Sequence, residues 1–154
     1  RAITLTADRL QPCEVVGNDI RLRQVFLNLL ENALKFTQAN GSVRVRCECH
    51  EDAVICSVKD TGSGIAEEHL PFIFGRFYRV DLGRSCESGG VGLGLSIAQR
   101  IVKAHGGTID VCSEVGSGTT IVVTLPGSML PSSMEITADT VAVSANVKFS
   151  EMTA

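Results

Sequence analysis

The chain has 154 residues, of which 44% are hydrophobic and 20% are charged. This length predicts one domain with its own core, and the composition excludes a wholly disordered or collagen-like chain. The formal net charge is −3, to which residues 127–154 contribute one basic and three acidic side chains. A net negative charge argues against sequence-independent binding to nucleic-acid phosphates, so no nucleic-acid partner is expected.

The predicted elements alternate between short strands and two long helices. In chain order they are an extended start at 1–16, a helix at 19–37, a hairpin of strands at 42–49 and 53–59, a short helix around Pro71, a mobile polar segment at 81–90, a helix at 92–105, and strands at 108–113 and 119–125. This order favours an α+β fold, a two-layer α/β sandwich whose mixed, mostly antiparallel sheet packs on about three helices. Small and polar residues dominate from 127, so 127–154 is predicted to be a flexible tail outside the domain at 1–126.

Six cysteines occur in the chain, and their spacings do not match a zinc site. A domain of this size folds without disulfides, and Cys47, Cys49 and Cys56 lie in alternating apolar segments. We therefore expect reduced, structural thiols in a reducing compartment.

The helix at 19–37 carries two stripes at helical spacing. One is apolar and predicts a core face: Leu22, Val25, Phe26, Leu29, Leu30 and Ala33. The other is polar and is formed by Gln24, Asn28, Glu31, Asn32 and Lys35. Asparagine is a poor residue for a helix interior. The polar stripe is either a solvated face with a Glu31–Lys35 pair or a site for Mg²⁺ and phosphate, since Mg²⁺ prefers oxygen ligands.

Three glycine-rich segments follow, at 60–64, 89–94 and 116–118. Glycines at the start of a helix can present backbone N–H groups to an anion, whereas either of the other two segments alone is typical of a plain turn. The phosphate-loop pattern GxxxxGK[ST], the Rossmann fingerprint and the protein-kinase signatures are all missing. A nucleotide site in this chain would therefore be of another kind.

Together, five motifs in order resemble the ATP-binding catalytic domain of sensor histidine kinases. They are NLLENALKFT at 28–37, DTGSGI at 60–65, FIFGRFYR at 72–79, GVGLGLSI at 90–97 and GSGTT at 116–120. The resemblance covers about residues 1–126. It implies the Bergerat-type nucleotide fold that gyrase, mismatch-repair and heat-shock-chaperone ATPases share.

For the triphosphate, the resemblance implies two cofactors, ATP and Mg²⁺. Asn32 would be the Mg²⁺ ligand with Asn28 beside it, and Lys35 would contact phosphate. Residues 80–91 would form a lid with Arg79 at its hinge. The amides that face the phosphates would come from Gly90, Gly92, Leu93 and Gly94.

For the base, the resemblance implies that Phe36 lies against adenine and that Asp60 accepts from the adenine amino group. Gly62, Gly64 and Ile65 belong to the loop that lets the base approach. Thr120 would help to position the base.

Asn28 stands where the hydrolysing relatives of this superfamily have a glutamate that activates water. This difference favours a histidine kinase that transfers the γ-phosphate. The alternatives are an ATPase that couples hydrolysis to a conformational change and a non-catalytic nucleotide sensor. The second is suggested by Gly75 and Val91, which stand where the motifs usually have Glu and Thr.

His50, His69 and His105 lack the sequence context of a phosphoacceptor histidine. The resemblance therefore implies a fragment whose partners are the helical dimerisation domain of the same kinase and a response regulator. The expected location is cytoplasmic, because no apolar run reaches the roughly 18–20 residues that span a bilayer. Any membrane attachment would come through upstream segments.

Overall fold

A computed structural model describes residues 2–10, 13–50, 52–80, 91–127 and 134–136 of the chain. The elements alternate as the sequence predicts, and one helix layer covers one face of a five-stranded sheet. In chain order they are β1 (Thr4–Leu10), β2 (Cys13–Val15), α1 (Asp19–Phe36), β3 (Ser42–Cys49), β4 (Ala53–Asp60), a 3-10 helix (Glu67–Phe72), α2 (Gly94–Ala104), β5 (Thr108–Glu114), β6 (Gly118–Pro126) and β7 (Met134–Ile136). The α+β class and the two-layer sandwich are therefore confirmed.

The main sheet has the strand order β1-β3-β4-β6-β5, in which β1 pairs with β3 in parallel and the other pairs are antiparallel. Side chains along β4 and β6 alternate, so every second residue is buried under the helices. The strand register aligns Val58, Ile121 and Val111 across β4, β6 and β5. Because side chains alternate along a strand, this apolar row also shows which residues nearer the strand ends face the helices.

Helix α1 begins at Asn18, whose side-chain oxygen accepts from the Arg21 N–H at 3.0 Å. It ends at Thr37, which is fully buried and donates both its N–H and its hydroxyl to the Ala33 carbonyl. The six residues of the predicted apolar stripe are the buried residues of this helix. Because they face the sheet, the polar stripe lies on another side of α1.

His105 connects the C-terminal end of α2 to the N-terminal end of α1. Its Nε2 accepts from the Asn18 N–H at 3.1 Å, and its Nδ1 lies 2.7 Å from the Ile101 carbonyl oxygen. These partners require a neutral ring with the proton on Nδ1. A side chain at Gly17 would overlap the imidazole, so glycine lets the chain pass close to the ring.

Two disulfides correct the prediction of reduced thiols. Cys13 of β2 is joined to Cys49 of β3, and Cys47 is joined to Cys56. The antiparallel register places Cys47 directly opposite Cys56, with a Cα–Cα distance of 4.1 Å. The spacing along the chain does not show which cysteines face each other, whereas the strand register shows it for Cys47 and Cys56. Cys112 is free and exposed.

Within the predicted tail, β7 pairs antiparallel with β2, aligning Cys13 with Ile136 and Val15 with Met134. Residues 134–136 thus depart from the prediction of a flexible tail, while the domain boundary at 126 stays a prediction. In the described part of the chain, no helix combines the length and apolar character needed to cross a membrane.

Candidate functional site

A polar row lies at the end of the sheet, directly beyond the apolar row. It consists of Asp60 on β4, Thr119 on β6 and Ser113 on β5, and we call it the sheet end. The Thr119 N–H donates to Asp60 Oδ1 at 3.2 Å, and the Ser113 and Thr119 hydroxyl oxygens are 2.8 Å apart. Three adjacent strands therefore contribute one connected polar group on the face that the helices cover.

Asp60 is a buried carboxylate, 7% exposed, that closes its own loop. Its Oδ1 also accepts from the Gly62 N–H at 2.8 Å. Burial raises the pKa of Asp60 above 3.8, and the two backbone N–H donors act in the opposite direction. Since both donors bind Oδ1, the second oxygen remains as an acceptor for a ligand.

Gly62 and Gly64 allow the loop after β4 to pack against its neighbours. A Cβ at Gly62 would lie 2.5 Å from the Phe36 carbonyl oxygen, so this glycine seats the loop on the end of α1. Gly64 has φ +68°, and a Cβ there would overlap the carbonyl of Glu114. Ile65 follows, and its N–H donates to Ser113 Oγ at 2.9 Å. The loop is thereby tied to both α1 and β5.

At the end of the site away from the sheet end, the polar stripe of α1 faces the beginning of α2. The Asn28 Nδ2 group donates to the Gly94 carbonyl at 3.1 Å. A Cβ on Gly94 would lie 3.7 Å from Asn32 Nδ2, so both amides border this glycine. We call Asn28, Asn32 and Gly94 the helix end. The first turn of α2 has neither an acidic residue nor a side-chain cap, which leaves its positive end available to an anion.

Lys35 and Phe36 lie at the C-terminal end of α1, and the Phe36 carbonyl borders Gly62 of the glycine loop. Phe36 is 53% exposed, and Lys35 Nζ is 5.3 Å from the centre of its ring. Asn28 and Phe36 are eight residues apart, which corresponds to roughly 12 Å along the helix. Helix α1 therefore spans the distance from the helix end to the glycine loop.

The segment at 72–79 lies against the loop that leads into α2. The Phe77 N–H donates to the Gly92 carbonyl at 3.0 Å. Arg79 follows two residues later and is half-buried. Leu93 is the residue before α2 and receives the Ile97 N–H and the Ser96 hydroxyl on its carbonyl. Gly90 and most of the predicted lid, 81–90, lie outside the described residues.

Thr120 does not lie beside Asp60, which corrects the prediction that this threonine helps to position the base. It pairs with Lys59, an exposed residue, and strand alternation turns it to the face opposite Asp60. Thr119 occupies the position beside Asp60 instead. The alternation of buried residues in β6 could have identified Thr119. Ile121, Val123 and Leu125 are buried, and Thr119 lies two residues before Ile121, so its side chain is on the same face of the strand. Nothing in the motifs marked Ser113, which only the strand register brings to this row.

The residues present fit a magnesium–nucleotide complex. In the described part of the chain, no three His, Cys, Asp or Glu side chains form a metal site. Mg²⁺ bound to a nucleotide needs few protein ligands because phosphates and water supply the rest. Because the Asn28 amide nitrogen is bonded to Gly94, its oxygen is the atom left for a cation. The donor set is thus neutral oxygen beside a helix N-terminus, which suits a polyphosphate and its metal.

The sequence matches a family model described as histidine kinase-, DNA gyrase B- and HSP90-like ATPase over residues 17–129. The sensor protein SrrB of Staphylococcus aureus is 46% identical over 106 residues. These are 69% of this chain and 18% of SrrB, so the chain spans less than a fifth of this curated relative.

Solved structures of sensor kinases have the same fold. The mycobacterial sensor histidine kinase MprB superposes with a TM-score of 0.71 and 29% identity, covering 83% of this chain and 84% of the MprB chain. Full-length ShkA in complex with AMPPNP gives a TM-score of 0.68 and 32% identity, covering 83% of this chain and 26% of ShkA. The catalytic domain of the histidine kinase ThkA gives 0.67 and 29%, covering 81% and 78%.

Proposed function

We propose that this chain, which belongs to the histidine kinase-, DNA gyrase B- and HSP90-like ATPase family, binds Mg·ATP and transfers the γ-phosphate to a histidine on a separate helical dimerisation domain. One observation carries the proposal. The asparagines of α1 face the uncapped N-terminus of α2, while a buried carboxylate lies at the far end of the same helix. That arrangement has one place for phosphates and another for a base.

At the helix end, Asn32 supplies an oxygen ligand to Mg²⁺ and Asn28 lies beside it. The metal, when bound, neutralises charge on the phosphate oxygens. The N-terminal amides of α2, including those of Gly92, Leu93 and Gly94, bind the phosphates. Lys35 adds a positive charge on the same face of α1. Phosphoryl transfer depends mainly on such positioning and charge stabilisation.

At the sheet end, the free oxygen of Asp60 accepts from the exocyclic amine of adenine. This contact selects adenine over guanine, which has a carbonyl oxygen at that position. The exposed ring of Phe36 packs against the base. Thr119, whose N–H is bonded to Asp60, takes the base-positioning role that the sequence had suggested for Thr120.

Transfer rather than hydrolysis is favoured by Asn28, because an amide does not act as a general base. The Asn28 amide nitrogen also donates to the Gly94 carbonyl, which fixes the orientation of this side chain. The acceptor is then a histidine of the dimerisation domain, and a response regulator receives the phosphate next.

A titration with a non-hydrolysable ATP analogue, with and without Mg²⁺, tests the binding step. We expect affinity that Mg²⁺ increases, and no binding at millimolar nucleotide would overturn the proposal. The transfer step is tested by adding the dimerisation domain of the same kinase and following labelled phosphate onto histidine. Steady hydrolysis that the acceptor domain does not change would favour a coupled ATPase instead.

A further inference from the structure

Ser113 is a residue of β5 that lies outside all five motifs, yet its hydroxyl has three partners. The Ile65 N–H donates to Ser113 Oγ at 2.9 Å. The Gly118 carbonyl oxygen lies at 3.0 Å and the Thr119 hydroxyl oxygen at 2.8 Å. These partners belong to the loop after β4 and to the beginning of β6, so the Ser113 side chain connects that loop to β6.

The three partners fix the direction of each hydrogen bond. A serine hydroxyl has one proton and two lone pairs. The Gly118 carbonyl can only accept, so it receives the proton, and the Ile65 amide can only donate, so it occupies one lone pair. The second lone pair must then accept from the Thr119 hydroxyl. Thr119 consequently keeps both of its own lone pairs for a ligand.

We propose that Ser113 is a positioning residue for base selection, which orients the Thr119 hydroxyl as an acceptor beside the free oxygen of Asp60. This inference rests on the proposed function. Asp60 is held by two backbone N–H groups on Oδ1, one of them from Thr119. The sheet end therefore offers two neighbouring acceptors, the Thr119 hydroxyl and the free oxygen of Asp60. They suit a purine edge that carries an amine, which can donate to them directly or through a water. They disfavour a purine edge that carries a carbonyl, which cannot donate.

The test compares affinities of the chain for Mg·ATP, Mg·GTP and Mg·tripolyphosphate. Ser113→Ala is expected to lower the ATP-to-GTP affinity ratio by about five- to tenfold, the range expected for one lost hydrogen bond. Affinity for tripolyphosphate, which has no base, should remain as in the unmodified chain. Ser113→Thr keeps the hydroxyl and should restore the ratio.

Ser117→Ala is the matched control, because Ser117 is an exposed residue of the same β5–β6 turn. Thr119→Val removes the second hydroxyl while preserving the backbone donor to Asp60, and it should lower the same ratio even if Ser113→Ala does not fold. The double variant should show less than the sum of the two effects, since both act through one hydroxyl pair.

An unchanged ATP-to-GTP ratio in folded Ser113→Ala would overturn the inference and leave the proposed function standing. Equal losses for ATP, GTP and tripolyphosphate would also overturn it, because they indicate a general structural role. An unmodified chain that binds none of the three ligands would instead overturn the proposed function itself.

Discussion

The sheet end and the helix end of the site are built in different ways. At the sheet end, Asp60, Thr119 and Ser113 are connected to each other and to the glycine loop by short hydrogen bonds. At the helix end, the described hydrogen bond between the facing elements is that of Asn28 with Gly94. A base has a fixed pattern of donors and acceptors, so a preorganised partner suits it, whereas a hydrated metal and its phosphates bring their own ligands.

This difference predicts that variants at the helix end affect reaction with Mg²⁺ and that variants at the sheet end affect the choice of base.

The largest effect is expected for Asn32→Ala. The Mg²⁺-dependent part of ATP-analogue affinity and of phosphoryl transfer should fall by about 100-fold or more, because a metal ligand is removed. Titrations with and without Mg²⁺ measure this, and Gln24→Ala, about two turns earlier on the same stripe of α1, is the control. Unchanged transfer would show that Asn32 is not the ligand.

Gly64→Ala is expected to have the next largest effect, because the new Cβ would overlap the Glu114 carbonyl. The unfolding free energy should fall by about 3 kcal/mol or more, and base binding should be lost with the loop geometry. Gly116→Ala is a matched control with φ +81° and open space around the new atom, so it should cost only about 1–2 kcal/mol. Equal losses in denaturant unfolding would contradict the steric argument.

Asp60→Asn should weaken ATP binding by about 10- to 100-fold, since a charged acceptor for the base amine is lost. Isothermal titration with ATP and GTP measures the change in affinity and selectivity. Asp110→Asn on the exposed face of β5 is the control and should leave affinity unchanged. An equal preference for ATP and GTP in the unmodified chain would already exclude this role for Asp60.

The same substitution should also change how the free energy of unfolding depends on pH. Because burial raises the pKa of Asp60, the folded chain holds this proton more tightly than the unfolded chain does. The stabilisation from this group is complete below the unfolded value of about 3.8 and is lost as pH rises through the folded value. The unfolding free energy of Asp60→Asn relative to the unmodified chain should therefore increase from pH 4 to pH 7. A constant difference across this range would contradict the effect of burial.

The smallest effect on nucleotide binding is expected from reducing the disulfides. Cys47 and Cys56 lie on β3 and β4, and Cys56 is four residues before Asp60 along its strand, roughly 13 Å away. Reduction should lower the unfolding free energy by about 2–4 kcal/mol, whereas ATP affinity should change by less than about twofold because the sites are separate. Thermal unfolding and titration with and without dithiothreitol measure both, and Cys112→Ser is the control. A large loss of affinity in folded, reduced protein would contradict this separation.

Periodicity made much of the fold predictable. The apolar stripe of α1 and the alternation in β3 and β4 fix helix, strands and buried faces locally, because burial of one face requires a regular spacing. The motifs identified the segments that form the site. The pairing of β1 with β3 and of β2 with β7 was not predictable in this way, since pairing between distant strands depends on the whole fold.

Strand register determines several contacts on the main sheet that spacing along the chain does not reveal. Thr119 and Thr120 are adjacent and identical, and only the register against Lys59 shows which of them faces Asp60. The Cys47–Cys56 pair and the position of Ser113 depend on register as well. A shift of one residue reverses every side chain of a strand, so motif spacing alone cannot choose between such neighbours.

The two contacts between the helices have a mechanical consequence. At the C-terminal end of α2, His105 accepts from the Asn18 N–H, and at its N-terminal end the Gly94 carbonyl accepts from Asn28. Helix α2 cannot turn about its axis without breaking one of these bonds, so the pair of helices acts as a braced unit. A change in the spacing between α1 and α2 would therefore break at least one of these hydrogen bonds, so Asn28 keeps its position relative to Gly94.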